Sequence, residues 1–233
     1  MKQIALKFNL KTNTLKIIMG KILVLSDIHY PLPDSDLFVN IIMSEKPDKV
    51  ILLGDNVDNY NTGRDLLDIY KEFIEIYKKF FPLEKTIVMI GDNDYQDRQD
   101  VFDYVKSIPK INGKNIITYS YKNLFLFHGN LETSHWQEAI GKYAGIVSAK
   151  ISTSLLPQML ARQVIKKYQI PNNFIVLLGH IHYLGYVNSA VFCGTLNKER
   201  IIYPKNMSMG YVIIEDSSKK IDKNDITVVQ LDV

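Results

Sequence analysis

Five short runs of apolar residues punctuate the chain: KILVLSDIH (21–29), KVILLGDNVD (49–58), TIVMIGDND (86–94), LFLFHGN (124–130) and FIVLLGHIH (174–182). Each is apolar at consecutive positions, the pattern of a strand covered on both faces. Their length, and the glycines that close four of them, favour strand over buried helix.

Helical periodicity fills the gaps. Residues 34–45 open on the cap candidates Asp34 and Ser35 and place Leu37, Val39, Ile41, Ile42 and Met43 about one face. Residues 62–80 carry Leu66, Leu67, Ile69, Tyr70, Phe73, Ile74, Ile76 and Tyr77 at helical spacing and stop before Pro82. A short helix is predicted over 98–107. The alternation of strand and helix predicts an α/β domain. Beyond residue 185 plain strands follow, AVFCGT, GYVIIED and DITVVQLD, the last two joined by the polar loop SSKKIDKND.

Two segments stand apart. Ile4, Leu6, Phe8 and Leu10 alternate with polar residues, Lys11 to Thr14 turn, and Leu15, Ile17 and Ile18 return. Residues 1–18 therefore read as a hairpin, or as an extension ahead of a natural start at Met19, with one domain over 19–233. Residues 132–172 read as two helices, 134–152 and 156–168, with Pro157 in the first turn of the second. This insert between two strands is a candidate cap. Its apolar face, Ile146, Val147, Ile151, Leu155, Leu156, Leu160 and Val164, suits core packing, a homodimer contact or a pocket for an apolar substrate.

The 233 residues, 46% of them hydrophobic, suffice for one sizeable core. A net charge of +3 with scattered lysines shows no basic groove, so nucleic acid is not favoured as a partner. One cysteine, Cys193, excludes an internal disulfide and a cysteine-based zinc site. No apolar run approaches the ~20 residues of a membrane span. The N-terminus also lacks the apolar core of a signal peptide. A cytoplasmic location is the expectation.

Chemistry gathers where the five runs end: Asp27 and His29, Asp55, Asp92, His128, then His180 and His182. Four of the five histidines lie there. Sites in open α/β sheets form beyond the carboxyl ends of strands, so these seven side chains should converge. Burying so many ionisable groups without a cation would be costly. Carboxylates with imidazoles and no thiolate suit Mn²⁺, Fe or Zn²⁺. Seven ligands exceed one site with room for substrate, so two ions sharing a carboxylate are expected. Such ions, roughly 3.5–4 Å apart, clamp a phosphoryl group and lower the pKa of bound water toward about 7. That implies hydrolysis of a phosphate ester by attack of metal-bound hydroxide.

Read together, the motifs resemble the calcineurin-like metallophosphoesterases, from residue 21 to about 214. They stand as Asp27-Ile28-His29, Gly54-Asp55-Asn56-Val57-Asp58, Gly91-Asp92-Asn93-Asp94, His128-Gly129 and Gly179-His180-Ile181-His182. The resemblance implies a four-layer fold of two packed mixed β-sheets flanked by helices. It implies two divalent ions, Mn²⁺ first and Fe, Zn, Ni or Co as alternatives. Asp27, His29 and His182 would hold one, Asp92, His128 and His180 the other, with Asp55 between them. Asp58 and Asp94 would stand behind these ligands. The substrate would be a small-molecule or nucleotide phosphoester: a phosphodiester, phosphomonoester or pyrophosphate.

Two positions depart from the family pattern. Asp92 replaces a metal-binding asparagine and adds a negative charge. Three carboxylates against two divalent ions leave a formal +1, so the metals should bind more tightly and act as weaker Lewis acids. Asn93 occupies the place of a histidine thought to protonate the leaving group, and an amide is no acid at neutral pH. The consequence is a slow or selective phosphodiesterase. The alternative is a metal-binding scaffold of the same fold with little activity. His135, at the start of the insert, is a candidate substitute acid. Arg98 and Tyr95 are candidate substrate contacts, although an ion pair on the surface also accounts for Arg98.

Overall fold

The computed structural model describes residues 5–9, 14–31, 36–60, 62–129, 155–200, 203–204, 207–217 and 220–232. Among the described residues eleven strands form two mixed sheets. The first contains β1 (Ala5–Asn9), β2 (Thr14–Leu25), β3 (Lys49–Leu52), β4 (Thr86–Val88), β10 (Gly210–Ser217) and β11 (Ile226–Gln230). Its order is β11-β10-β2-β3-β4, with β1 pairing antiparallel to the first residues of β2. The second contains β5 (Thr118–Tyr121), β6 (Leu124–Phe127), β7 (Ile175–Leu178), β8 (Leu184–Val187) and β9 (Ala190–Cys193), in the order β5-β6-β7-β9-β8.

Strand alternation explains why the runs are apolar throughout. In β2, β3 and the β4 segment, Leu23, Leu25, Val50, Leu52, Val88 and Ile90 face a cluster shared with helices. Their neighbours Ile22, Val24, Ile51, Leu53, Ile87 and Met89 face the other sheet. The second sheet repeats the arrangement. Leu124, Leu126, Ile175, Leu177 and Val191 point between the sheets, whereas Phe127, Val176, Leu178 and Phe192 point outward under a helix. Successive side chains on opposite faces thus meet different layers. Each such buried side chain contributes about 1.5–3 kcal/mol of transfer free energy.

The outer layer on the first sheet comprises α1 (Leu37–Glu45), α2 (Leu66–Tyr77) and α4 (Gln99–Ser107); α3 (Asp92–Tyr95) is a single turn. Helix α2 starts at Asp65, whose carboxylate accepts the N–H groups of Leu67 and Asp68, and buries Leu66, Ile69, Tyr70, Phe73, Ile74 and Tyr77. Helix α5 (Leu155–Lys167) covers the second sheet through Pro157, Leu160, Ala161 and Val164. The later part of the expected insert is therefore the fourth layer of the fold. Its earlier part, with Ile146, Val147, Ile151 and His135, lies outside the described residues.

Sequence reasoning did not find β5 and β8, and topology supplies the reason. Both are edge strands of the second sheet. Thr118–Tyr121 is at most half-buried, and Gly185 interrupts Leu184–Val187. Neither needs a continuous apolar run.

Candidate metal centre

Beyond their last sheet residues the motif loops zip together. Asp27 N–H donates to Gly54 O (3.0 Å), His29 N–H to Asp55 O (3.0 Å), Tyr30 N–H to Asn56 O (3.0 Å), and Asp58 N–H returns to Tyr30 O (2.8 Å). In the second sheet Gly179 N–H donates to His128 O (2.9 Å), and Leu196 N–H, beyond β9, reaches Asp27 O (3.3 Å). Asp27, His29, Asp55, His180 and His182 all adopt positive φ, between 49° and 66°. Backbone of this kind is held where the surroundings over-determine it, and it concentrates at functional sites.

The seven side chains form two groups. Asp27, His29 and His182 make one; Asp55, Asp92, His128 and His180 make the other, with ligand atoms inside each group within 4.8 Å of one another. His182 Nε2 lies 3.1 Å from Asp27 Oδ1, and His29 Nε2 lies 3.2 Å from His182 Nε2. In the second group His128 Nε2 is 3.3 Å from Asp55 Oδ2 and 3.6 Å from Asp92 Oδ1, and His180 Nδ1 is 3.1 Å from Asp92 Oδ1. The groups adjoin: His128 Nε2 is 3.9 Å from Asp27 Oδ1. All are buried except His180, which is partly open, and the half-exposed Asp92.

The imidazoles are oriented from behind. A carbonyl oxygen only accepts, so His128 Nδ1–H donates to Leu53 O (3.1 Å) and Nε2 is turned toward the carboxylates. His29 presents Nδ1 to Asp58 Oδ2 at 3.3 Å, both buried. Asp27 is held by its other oxygen: Ser26 Oγ and His180 N–H donate to Oδ2 at 2.5 and 3.2 Å. This leaves Asp27 Oδ1 and His128 Nε2 buried without a hydrogen bond. Orphaned atoms of that kind are rare, and here both face the ligand clusters.

Electrostatics point the same way. Burial disfavours a charged imidazole, yet Asp58, Asp55 and Asp27 raise His29 above its ordinary value, and Asp55 and Asp27 raise His128 further. Burial also resists ionisation of Asp27, but His182, His128 and His29 hold it well below the usual carboxylate range. Burial likewise resists ionisation of Asp92, whose neighbours His128 and His180 hold it low. The pocket draws positive charge toward its carboxylates, and the donor set fits divalent cations.

The GDND turn is now defined. Asp92 begins α3. Asn93 grips Asp55 twice, with its backbone N–H on Oδ1 (3.0 Å) and its amide on Oδ2 (2.6 Å). Asp94 is fully buried and accepts from Gly91 N–H (2.8 Å), Val57 N–H (2.9 Å) and the Asn56 amide (3.1 Å). Burial and the neighbouring Asp55 push its carboxyl up to about 7.

Arg98 binds Asp65 (3.0 Å) and Asp100 (2.6 Å), and so ties the starts of α2 and α4 together. Tyr95 donates to Asp97 (3.0 Å) and packs on Phe102. Sequence reasoning missed three supports: Ser26, Asn56 and Thr195, whose hydroxyl donates to Asp27 O (2.8 Å). Ser26 and Asn56 adjoin motif aspartates and were within reach. Thr195 has no local signal, since only the fold brings it under Asp27.

The calcineurin-like phosphoesterase family profile matches residues 20–203, and the chain belongs to that family. A comparison with curated proteins finds no match. Among solved structures the chain is similar to Yfce, a phosphoesterase from E. coli (16% identity, 90% of this chain and 96% of that one, TM-score 0.46). It is similar also to an archaeal phosphodiesterase (18%, 91% and 99%, 0.49) and to a metallophosphoesterase from Sphaerobacter thermophilus (14%, 91% and 88%, 0.47). Among the described residues no helix is long and apolar enough to cross a membrane.

Proposed function

We propose that this chain is a phosphoester hydrolase that uses two divalent metal ions, Mn²⁺ first, and acts on a phosphodiester or a related phosphoester. Asp27, His29 and His182 would hold one ion, Asp92, His128 and His180 the other, with Asp55 shared. The observation that carries this reading is the pair of adjoining ligand clusters, into which Asp27 Oδ1 and His128 Nε2 point without any hydrogen-bond partner. Such ions, when bound, activate water and stabilise charge on a phosphoryl group.

The protein's own share is preorganisation. Leu53 O and Asp58 fix the faces that His128 and His29 present. Ser26 and the His180 N–H restrain one oxygen of Asp27 and leave the other for the cluster. Asn93 restrains both oxygens of Asp55.

The test is hydrolysis of bis(p-nitrophenyl) phosphate by the Mn²⁺-loaded protein and by Asp55→Asn. A large loss in the variant is expected. Equal rates would overturn the enzyme reading in favour of a metal-binding scaffold.

A further inference from the structure

The two sheets meet at the site end through a residue that neither ligand cluster includes. Thr195 is fully buried just beyond β9 of the second sheet. Its main chain faces the first sheet: its N–H donates to Ser208 O (2.8 Å), and its carbonyl accepts from Gly210 N–H (3.1 Å) at the start of β10. A Cβ at Gly194 would lie 2.5 Å from Ser208 O, so these segments touch backbone to backbone. The Thr195 hydroxyl donates to Asp27 O (2.8 Å), beyond β2, and accepts from Asn197 N–H (3.0 Å). Since β2 and β10 are neighbours in the first sheet, Thr195 binds the ends of both.

Asp27 requires such a hold. Its φ is +53°, a value that persists in a residue with a Cβ only where its surroundings over-determine it. Among the described residues three hydrogen bonds reach it from the segments after β7 and β9. They are His180 N–H on Oδ2 (3.2 Å), Leu196 N–H on the carbonyl (3.3 Å) and the Thr195 hydroxyl on the same carbonyl (2.8 Å). The hydroxyl makes the shortest of the three, and the one that comes from a side chain. With the peptide so held, Asp27 Oδ1 stands 3.1 Å from His182 Nε2. Asp27 and His29 follow a strand of the first sheet and His182 follows a strand of the second, so the first cluster depends on the spacing of the two sheet ends.

We propose, on the two-metal reading above, that Thr195 is a positioning residue for the first ion. Its hydroxyl fixes the Asp27 peptide and thereby sets the reach from Asp27 Oδ1 to His182 Nε2. It touches neither ion nor substrate; its effect passes through Asp27. The ion at Asp27, His29 and His182 should therefore depend on it, and the ion at Asp55, Asp92, His128 and His180 should not.

The experiment is calorimetric titration of Mn²⁺ into the wild type, Thr195→Val and Thr195→Ser, with electron paramagnetic resonance to tell a coupled pair of ions from a single one. Valine keeps the shape of threonine and removes the hydroxyl; serine keeps the hydroxyl. In Thr195→Val one ion should bind about 10–100-fold more weakly while the other keeps its affinity. At intermediate Mn²⁺ the coupled signal should then give way to that of a single ion. Thr195→Ser should bind both ions as the wild type does. Equal weakening of both ions in Thr195→Val, or unchanged affinities alongside a lower unfolding temperature in chelator, would make Thr195 a packing residue only and overturn the inference. Loss of either ion in Thr195→Ser would overturn it too, whether or not Thr195→Val folds. A wild type that binds no pair of Mn²⁺ ions would overturn the two-metal reading and this inference with it.

Discussion

His29 stands between two partners, with Nδ1 3.3 Å from Asp58 Oδ2 and Nε2 3.2 Å from the Nε2 of His182. Asp58, behind Nδ1, sets the ring orientation that turns Nε2 toward His182 and the first ligand cluster. Replacing Asp58 with Ala should therefore loosen metal binding or activity by about 10–100-fold. Metal titration of both proteins checks this, and equal affinities would remove Asp58 from the role.

Asp92 should respond in the opposite sense on the two properties it controls. Asp92→Asn removes one negative charge from the second cluster while keeping an oxygen ligand. Metal affinity should fall, and kcat at saturating Mn²⁺ should rise, because a less neutralised ion polarises its ligands more strongly. Parallel metal titration and steady-state kinetics read both. A fall in kcat at metal saturation would contradict the argument.

Gly54 has φ +111°, and a Cβ there would lie 2.6 Å from His128 Nδ1. Gly54→Ala therefore strains the backbone and pushes the imidazole off Leu53 O. Overpacking of this kind costs about 1–3 kcal/mol. Chemical denaturation should show that loss, and metal analysis should show the second ion reduced more than the first.

At the far end of the molecule Asp216, buried on β10, accepts from Lys49 of β3 (2.7 Å), from Lys122 between β5 and β6, and from Tyr121 (2.9 Å). The cluster fastens one sheet to the other. Burial raises the Asp216 carboxyl, but Lys122 and Lys49 outweigh it and hold it low. A carboxyl lowered in the folded state stabilises above its unfolded value, about 3.9, and loses that contribution as pH falls through the folded value. Asp216→Ala should cost about 1–3 kcal/mol near neutral pH, since both lysines can turn to water. The gap from wild type should close below about pH 4. Unfolding followed against pH tests the sign.

Metal removal should destabilise the fold. A ligand that binds only the native state adds about 2.7 kcal/mol at a hundredfold excess over its Kd. Thermal unfolding with Mn²⁺ and with chelator should differ accordingly. Coincident curves would argue against a metal centre.

The sequence by itself determined what local pattern can carry. Consecutive apolar residues in the five runs required strands covered on both faces, and the two sheets with their helical layers meet that requirement. The polar residues at the run ends were legible as one group because strand ends cluster in α/β folds. Helix α2 was legible because its six buried side chains keep helical spacing. The edge strands β5 and β8 were not, because an edge needs little apolar cover.

Only the tertiary structure decided the rest. It brought the seven candidate ligands, on loops far apart in sequence, within reach of one another in two adjoining groups, a matter of through-space distance. It brought Thr195 beneath Asp27 across 168 residues. It also turned the Asn93 amide onto Asp55, which makes the GDND turn a brace for a carboxylate. Residue types and spacing state which chemistry is available. Which atom faces which is set by packing between layers, and no local pattern encodes that.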